Sequence, residues 1–163
     1  MPLEYQQEKP IRVAIAGLGF GETVHLPALK ENKQLQLASL WHPRLERLEQ
    51  ACRKHSLPGT NNWSEVIDNK EIDAIIIATP PEPRFQLAKT ALEAGKHLLL
   101  EKPVALHSDE IKELHRIATS NNLSVAVDFE YRAVPLFMKA RQLISEGFVG
   151  EPWFVKFDWL MSS

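Results

Sequence analysis

Stretches of consecutive apolar residues alternate along the chain with stretches whose apolar residues recur every three or four positions. The first pattern is typical of buried strands, and the second of helices that cover a sheet. Strands are predicted at 11–16, 35–41, 57–61, 72–78, 97–100 and 123–129. Helices are predicted at 24–30, 44–55, 84–94, 108–120 and 134–146. This alternation predicts a parallel sheet with helices on both faces.

A glycine-rich turn, Gly17-Leu18-Gly19-Phe20-Gly21, follows the first strand and opens the first helix. Glycine at such a turn allows a sharp bend and lets backbone N–H groups approach a pyrophosphate at the helix N-terminus. Glu22 occupies the place of the third glycine of the dinucleotide fingerprint, and Gly21 is expected to allow the close approach instead. The sequence therefore predicts a doubly wound, six-stranded Rossmann domain over residues 11–149 that binds a dinucleotide.

The same turn also resembles the first motif of methyltransferases that bind S-adenosylmethionine. Those enzymes usually carry an acidic residue at the end of the second strand, which holds the ribose hydroxyls. Here that strand ends in Leu40-Trp41-His42-Pro43-Arg44, without a carboxylate. The methyltransferase alternative is therefore the weaker one.

The end of the chain has a different pattern. Residues 151–160 alternate, with Trp153, Val155, Phe157 and Trp159 on one face, which predicts a strand of an antiparallel sheet. Residues 1–10 are predicted to be a tail, and residues 150–163 the first strand of a C-terminal substrate domain that lies beyond this chain. We expect the aromatic strand to promote self-association, and the chain alone to bind cofactor weakly and to turn over nothing.

Composition limits the other functions. A net charge of −2 gives no reason to expect nucleic acid or an acidic membrane as a partner. Cys52 is the only cysteine, so neither a disulfide framework nor a thiolate metal site is expected, and no metal is predicted. No apolar run approaches the roughly 20 residues that span a bilayer, and the first ten residues lack the apolar core of a signal peptide. A cytoplasmic location is expected.

Four stretches together resemble the glucose-fructose oxidoreductase / inositol dehydrogenase / MocA family. They are Ala16-Gly17-Leu18-Gly19 with His25 following, 75–81 (IIIATPP), 94–103 (AGKHLLLEKP) and Gly150-Glu151-Pro152. The resemblance extends from about Ile11 to the last residue. The chain departs from the family at Arg84, where His is frequent, and at Glu130, where Asn is frequent.

This resemblance implies an NAD(P)-dependent oxidoreductase that transfers a hydride between nicotinamide and a carbon bearing a hydroxyl or carbonyl, commonly in a sugar or cyclitol. It implies that Gly17 and Gly19 hold the pyrophosphate, that Thr79 and Pro80 flank the cofactor, and that Lys102 faces nicotinamide and substrate. Lysine at the end of a strand can donate to a developing alkoxide or move the hydroxyl proton. The predicted catalytic residue is Lys102. The predicted cofactor-binding residues are Gly17, Leu18, Gly19, Phe20, Gly21, His42, Arg44, Thr79, Pro80, Glu101 and Lys102. The alternative is a non-catalytic dinucleotide-binding module.

The end of the second strand bears on the choice of cofactor. NAD selectivity usually rests on an acidic residue there, which accepts hydrogen bonds from the ribose 2′-hydroxyl. Neither Trp41 nor His42 is acidic, and Glu46 is expected inside the next helix. Arg44 offers a guanidinium that suits a phosphate, and His42 offers a further donor. The sequence predicts a preference for NADP(H) over NAD(H).

Overall fold

The computed structural model describes residues 9–160. Their contacts form two compact units, one ending at Asp128 and the other beginning at Phe129. The strands are β1 (Ile11–Ala16), β2 (Leu35–Trp41), β3 (Gly59–Thr60), β4 (Ala74–Ile77), β5 (His97–Glu101) and β6 (Val125–Asp128). The helices are α1 (Leu26–Glu31), α2 (Leu45–His55), α3 (Trp63–Ile67), α4 (Pro81–Glu93), α5 (Ser108–Ser120) and α6 (Pro135–Ser145). A π-helical turn, Gly21–His25, leads into α1.

All six strands of the first unit lie in one parallel sheet, in the order β3-β2-β1-β4-β5-β6. This is the doubly wound Rossmann order, so the predicted fold class is confirmed. Strand order reverses between β1 and β4, the two central strands. In an open α/β sheet the carboxyl end of that pair is where a ligand crevice forms.

Apolar residues cover both faces of the sheet. Side chains of β1 alternate between two clusters, with Val13 and Ile15 in one and Ala14 and Ala16 in the other. The β-branched run of β4 divides in the same way, with Ile76 on the opposite side from its two neighbours. A strand buried on both faces needs apolar residues at consecutive positions, which is why β4 is apolar throughout and β1 is apolar from Val13 to Ala16.

An ion pair joins the amino ends of β1 and β4. The carboxylate of Asp73 accepts hydrogen bonds from the backbone N–H of Arg12 at 2.8 Å, from Nε at 3.0 Å and from Nη2 at 2.9 Å. The Arg12 side-chain hydrogen bond is the main reason that the pKa of Asp73 falls to about 2. The ion pair therefore joins β1 and β4 at their amino ends, opposite the carboxyl ends where the crevice forms.

The Arg12–Asp73 pair makes the free energy of unfolding depend on pH in the acidic range. Because the pKa of Asp73 is lower in the folded chain, its stabilising effect is present above the unfolded value of about 3.9 and is lost as pH falls toward 2. We expect Arg12→Met to remove this acid-sensitive part of the stability, a modest loss because both side chains are partly exposed to solvent. Urea unfolding between pH 5 and pH 2 measures it, with Arg53→Met on α2 as the control. Parallel pH curves for the wild type and Arg12→Met would contradict the expectation.

The second unit contains a 3₁₀ turn, Glu130–Ala133, and α6. The strand predicted over 151–160 does not form among the described residues, which have no helix or strand there, and its pairing in a further domain stays a prediction. An alternating pattern supplies the faces of a strand but not the neighbouring backbone that must pair with it. Instead, the ring of Trp159 packs edge-on against Tyr131 at 5.0 Å, and Phe157 lies 6.4 Å from Phe137. Self-association through this segment stays a prediction.

None of the helices between residues 9 and 160 has the length and apolar character required to span a bilayer.

Candidate functional site

A cleft of about 510 Å³ opens at the carboxyl ends of β1, β2 and β4. It lies at the point where the strand order reverses. The glycine turn, the turn after β2, the turn after β4 and one side of α4 form its walls. The lining residues are Gly17, Leu18, Gly19, Trp41, His42, Pro43, Arg44, Arg47, Ala78, Thr79, Pro80, Pro83 and Leu87.

Gly17 brings the glycine turn against the end of β4. Its φ is +98°, and a Cβ placed there would lie 2.7 Å from the carbonyl carbon of Ala78 and 2.8 Å from the backbone nitrogen of Thr79. Both the backbone conformation and the space exclude a side chain. The packing of the chain itself therefore requires glycine at this position.

Gly21 provides the close packing expected of the third fingerprint glycine, and Glu22, which occupies that glycine's position, makes side-chain contacts instead. A Cβ at Gly21 would lie 2.7 Å from Cγ2 of Ile15, so the predicted close approach of helix and strand at Gly21 is confirmed. The carboxylate of Glu22 accepts hydrogen bonds from Lys54 Nζ at 2.9 Å and from His55 Nε2 at 3.0 Å. The Lys54 hydrogen bond is the main cause that lowers the pKa of Glu22. Glu22 thus links the π-helical turn before α1 to α2.

Gly19 differs from both of these glycines. A Cβ there would meet no atom within 4 Å, and its φ is not positive. Neither backbone strain nor packing within the described residues explains why glycine stands at Gly19. A residue without a side chain here leaves the backbone open to a group in the cleft, and a phosphate at the start of a helix is such a group.

The turn after β2 concentrates positive charge at one end of the cleft. Arg44 is the N-cap of α2, and Arg47 lies one turn further along the helix. Arg47 Nη2 donates a hydrogen bond to the carbonyl of Leu18 at 2.7 Å, which joins α2 to the glycine turn. The backbone N–H of Arg44 donates to His42 Nδ1 at 3.1 Å. Burial, with a smaller effect of the two arginine charges, lowers the pKa of His42 and keeps its ring neutral at pH 7.

Two polar groups in the cleft wall are buried without protein partners. Thr79 is 5% exposed and Trp41 is 7% exposed. Neither Thr79 Oγ1 nor Trp41 Nε1 has a hydrogen-bond partner within residues 9–160. Because a buried polar group without a partner costs free energy, such groups indicate a bound molecule that completes them. Together with the open backbone at Gly19, they fit a polar ligand such as a dinucleotide.

The turn after β5 carries the predicted catalytic residue. Lys102 is exposed and follows Glu101, the last residue of β5. Glu101 is buried, and its carboxylate lies 2.8 Å from Nε2 of His25. Asp128 Oδ2 at the end of β6 lies 3.7 Å from the same nitrogen. The ligand atoms of these three residues all lie within 4.8 Å, a spacing that a metal ion can bridge, but the direct His25–Glu101 hydrogen bond explains it without one.

Arg84 joins the turn after β4 to the turn after β5. It stands in the first turn of α4 and is 3% exposed. One terminal nitrogen, Nη1, donates to the carbonyls of Glu101 and Pro103, and the other, Nη2, donates to the carbonyl of Thr79. Lys102 therefore lies between two carbonyls that one guanidinium nitrogen holds.

The structure gathers most of the predicted cofactor-binding residues into one cleft. Gly17, Leu18, Gly19, His42, Arg44, Thr79 and Pro80 all line it. Phe20, Gly21, Glu101 and Lys102 do not line it: Gly21 packs against β1, and the carboxylate of Glu101 faces His25. Sequence reasoning missed Arg47 and the roles of His25 and Arg84. The signal for Arg47 was present, since it lies three residues after Arg44 on the same helix.

Comparison with known proteins agrees with the geometry. The family described as "Oxidoreductase family, NAD-binding Rossmann fold", which is the glucose-fructose oxidoreductase / inositol dehydrogenase / MocA family, matches residues 11–129. The chain belongs to this family. The resemblance inferred from the sequence is therefore confirmed: this is a family of NAD(P)-binding oxidoreductases, and its described fold is the Rossmann sheet seen here.

Individual proteins are also similar to this chain in sequence or in fold. The chain is 38% identical over 154 residues to an uncharacterized oxidoreductase of Synechocystis sp., covering 94% of this chain and 42% of that protein. Scyllo-inositol dehydrogenase from Lactobacillus casei, solved with NAD(H) and scyllo-inositol, superposes with a TM-score of 0.81 at 25% identity, over 88% of this chain and 43% of that one. A 3-ketoreductase from Actinomadura kijaniata, solved with NADP, shares the fold with a TM-score of 0.81 at 23% identity, over 88% of this chain and 44% of that one. The chain thus spans less than half the length of these proteins.

Proposed function

We propose that the cleft binds NADP(H), and that this chain is the cofactor-binding part of an oxidoreductase that acts on a sugar or cyclitol. The observation that carries the proposal is Gly19, a glycine that neither strain nor packing requires, at the mouth of a cleft where the strand order reverses. The buried, unpartnered hydroxyl of Thr79 in the same wall supports it. Pyrophosphate at the glycine turn and ribose near the end of β2 account for both ends of the cleft.

Several residues have a proposed part in the reaction. A bound nicotinamide supplies or accepts a hydride at its C4 atom. The backbone of Gly17 to Gly19 binds the pyrophosphate, and Thr79 and Pro80 form the wall that orients the ring. In the oxidation direction, the neutral amine of Lys102 accepts the proton of the substrate hydroxyl while the hydride leaves the carbon that bears this hydroxyl. In the reduction direction, Lys102 returns the proton to the oxygen. The inositol dehydrogenase relative supports a polyhydroxylated substrate.

The preference for NADP(H) rests on the charges at the end of β2. Arg44 and Arg47 both line the cleft there, and no acidic residue within 9–160 does. Glu46 lies inside α2, as predicted. Arg44 is a cation at a helix N-cap, where the helix dipole disfavours positive charge, so a bound phosphate would relieve an unfavourable position. Since His42 is neutral at pH 7, the preference depends on the arginines rather than on an imidazolium.

Replacing Arg44 tests this preference. We expect Arg44→Ala to raise the Kd for NADPH roughly 10- to 100-fold, the value of a lost charge-assisted hydrogen bond to phosphate, and to leave the Kd for NADH nearly unchanged. Calorimetric titration of both cofactors measures it. Arg53→Ala is the matched control, because Arg53 is an exposed arginine of the same helix that pairs with Glu49 away from the cleft. Tighter binding of NADH than NADPH by the wild type, or an NADPH affinity indifferent to Arg44, would count against the preference.

The non-catalytic alternative predicts cofactor binding without turnover. A protein extended to the length of the relatives separates the two, since only an enzyme oxidises a sugar or cyclitol with NADP. We propose that the chain by itself binds weakly and is inactive, because every residue that lines the cleft belongs to the first unit and the cleft stays open to water. A cytoplasmic location and the exclusion of nucleic acid stay predictions from composition.

A further inference from the structure

The guanidinium of Arg84 is a buried charge in an unusual setting. A buried cation is expensive unless hydrogen bonds replace its lost hydration, and an apolar residue of similar size would avoid the cost. Its terminal nitrogens donate to three backbone carbonyls, those of Thr79, Glu101 and Pro103. The acceptors of these three hydrogen bonds are thus backbone groups of two turns rather than a carboxylate.

Those acceptors lie on the two turns that matter most for the proposed reaction. Thr79 belongs to the cleft wall after β4, and the other two carbonyls flank Lys102 after β5. β4 and β5 are neighbours in the sheet, and their backbone pairing ends at Ile77 and Leu100. Arg84 makes a cross-link just beyond the point where that pairing stops.

Glu101 is held from a second direction. Its carboxylate pairs with His25 at 2.8 Å, while its carbonyl accepts from Arg84. Glu101, at the start of the turn after β5, is thus held through both its side chain and its backbone. The Arg84 hydrogen bond to Pro103 extends this control to the far side of Lys102.

We infer that Arg84 is a positioning residue that sets the backbone of Lys102 relative to the cofactor wall at Thr79. The inference rests on the proposed function, since it assigns Lys102 to the chemistry. Arg84 does not line the cleft. It acts through the two turns, and the planar fork of a guanidinium is what allows one side chain to reach both.

Backbone ¹⁵N relaxation of the purified chain tests the inference without cofactor. In Arg84→Met, we expect the order parameters of the Lys102, Val104 and Ala105 amides to fall below about 0.6, the range of flexible backbone. Order parameters of the glycine turn should be unchanged. Lys89→Met is the matched control, because Lys89 is a cation of the same helix that pairs with Glu113 on α5 instead. If Arg84→Met does not fold, Arg84→Lys serves, since its single nitrogen keeps the charge but cannot form the fork.

Ligand titration gives the readout that a merely structural role would not change. NADPH reaches both turns in the proposed mode, whereas 2′-phospho-ADP-ribose lacks the nicotinamide. Arg84→Met should weaken NADPH several-fold more than it weakens 2′-phospho-ADP-ribose. Unchanged order parameters at 102–105, lower order parameters across the whole sheet, or an equal loss for both ligands would overturn the inference. If the wild type binds neither ligand, the proposed function fails, and the relaxation result alone decides whether Arg84 holds the turn.

Discussion

Lys102→Met is expected to lower the rate of hydride transfer roughly 10²- to 10⁴-fold, the usual contribution of a general acid–base group. Methionine keeps the length of the side chain but has no ionisable group, so the substrate hydroxyl proton loses its acceptor. Lys102 lies outside the cleft lining, so the affinity for NADPH should change far less than the rate. Single-turnover kinetics with a sugar or cyclitol substrate, in a protein extended to the length of the relatives, separates the two effects.

Lys89→Met is again the control, since it removes a lysine from α4 that pairs with Glu113 rather than approaching the cleft. Its rate should equal that of the wild type. A Lys102→Met protein with an unaltered rate would assign Lys102 to structure alone. An equal loss of rate and of cofactor affinity would indicate a binding role instead.

Three glycine-to-alanine changes should differ in kind, because the glycines differ in backbone and in space. Gly17→Ala should destabilise the fold by on the order of 3 kcal/mol, since it combines a positive φ with a Cβ placed 2.7 Å from backbone atoms of Ala78. Gly95→Ala should cost about 1 kcal/mol, since Gly95 has a φ of +80° but open space around the Cβ. Gly19→Ala has neither problem, and stability should be kept.

Cofactor affinity should show the opposite order among the folded variants. Gly19→Ala should weaken NADPH binding roughly tenfold or more, because its methyl group enters the space where the pyrophosphate approaches the backbone. Gly95→Ala should bind as the wild type does. Urea unfolding and calorimetric titration measure both properties on the same samples. Full NADPH affinity in Gly19→Ala would contradict the proposed place of the pyrophosphate, and a Gly17→Ala protein as stable as the wild type would contradict the described packing.

Local patterns predicted the sheet well because they are set by burial on two faces. The apolar runs of β1 and β4 extend over consecutive positions, and Gly95 has the positive φ expected of a residue just after a helix. Residues 151–160 form no strand here for a physical reason: their alternation describes the two faces of a strand, but a strand also needs hydrogen bonds from a neighbouring backbone.

The site was predictable where its residues are close in sequence to strand ends. The glycine turn, His42, Arg44, Thr79 and Pro80 follow β1, β2 and β4 directly, so the topology alone brings them together. Long-range side-chain pairs have no such signal. His25 and Glu101 are 76 residues apart in the sequence. Arg84 donates to backbone carbonyls, and since every residue has a carbonyl, the sequence does not identify which ones accept.

The most direct test of the account is a two-dimensional amide NMR titration of this chain with NADPH. If the cleft binds the cofactor as proposed, saturable shifts with 1:1 stoichiometry are expected at the amides of Gly17, Gly19 and Thr79 and around Arg44. The amides near Arg12 and Asp73, at the opposite end of the sheet, should not move. Absence of saturable shifts up to roughly millimolar NADPH, the upper end of ordinary cofactor requirements, or shifts confined to residues away from the cleft, would contradict the claim that this cleft binds a nicotinamide dinucleotide.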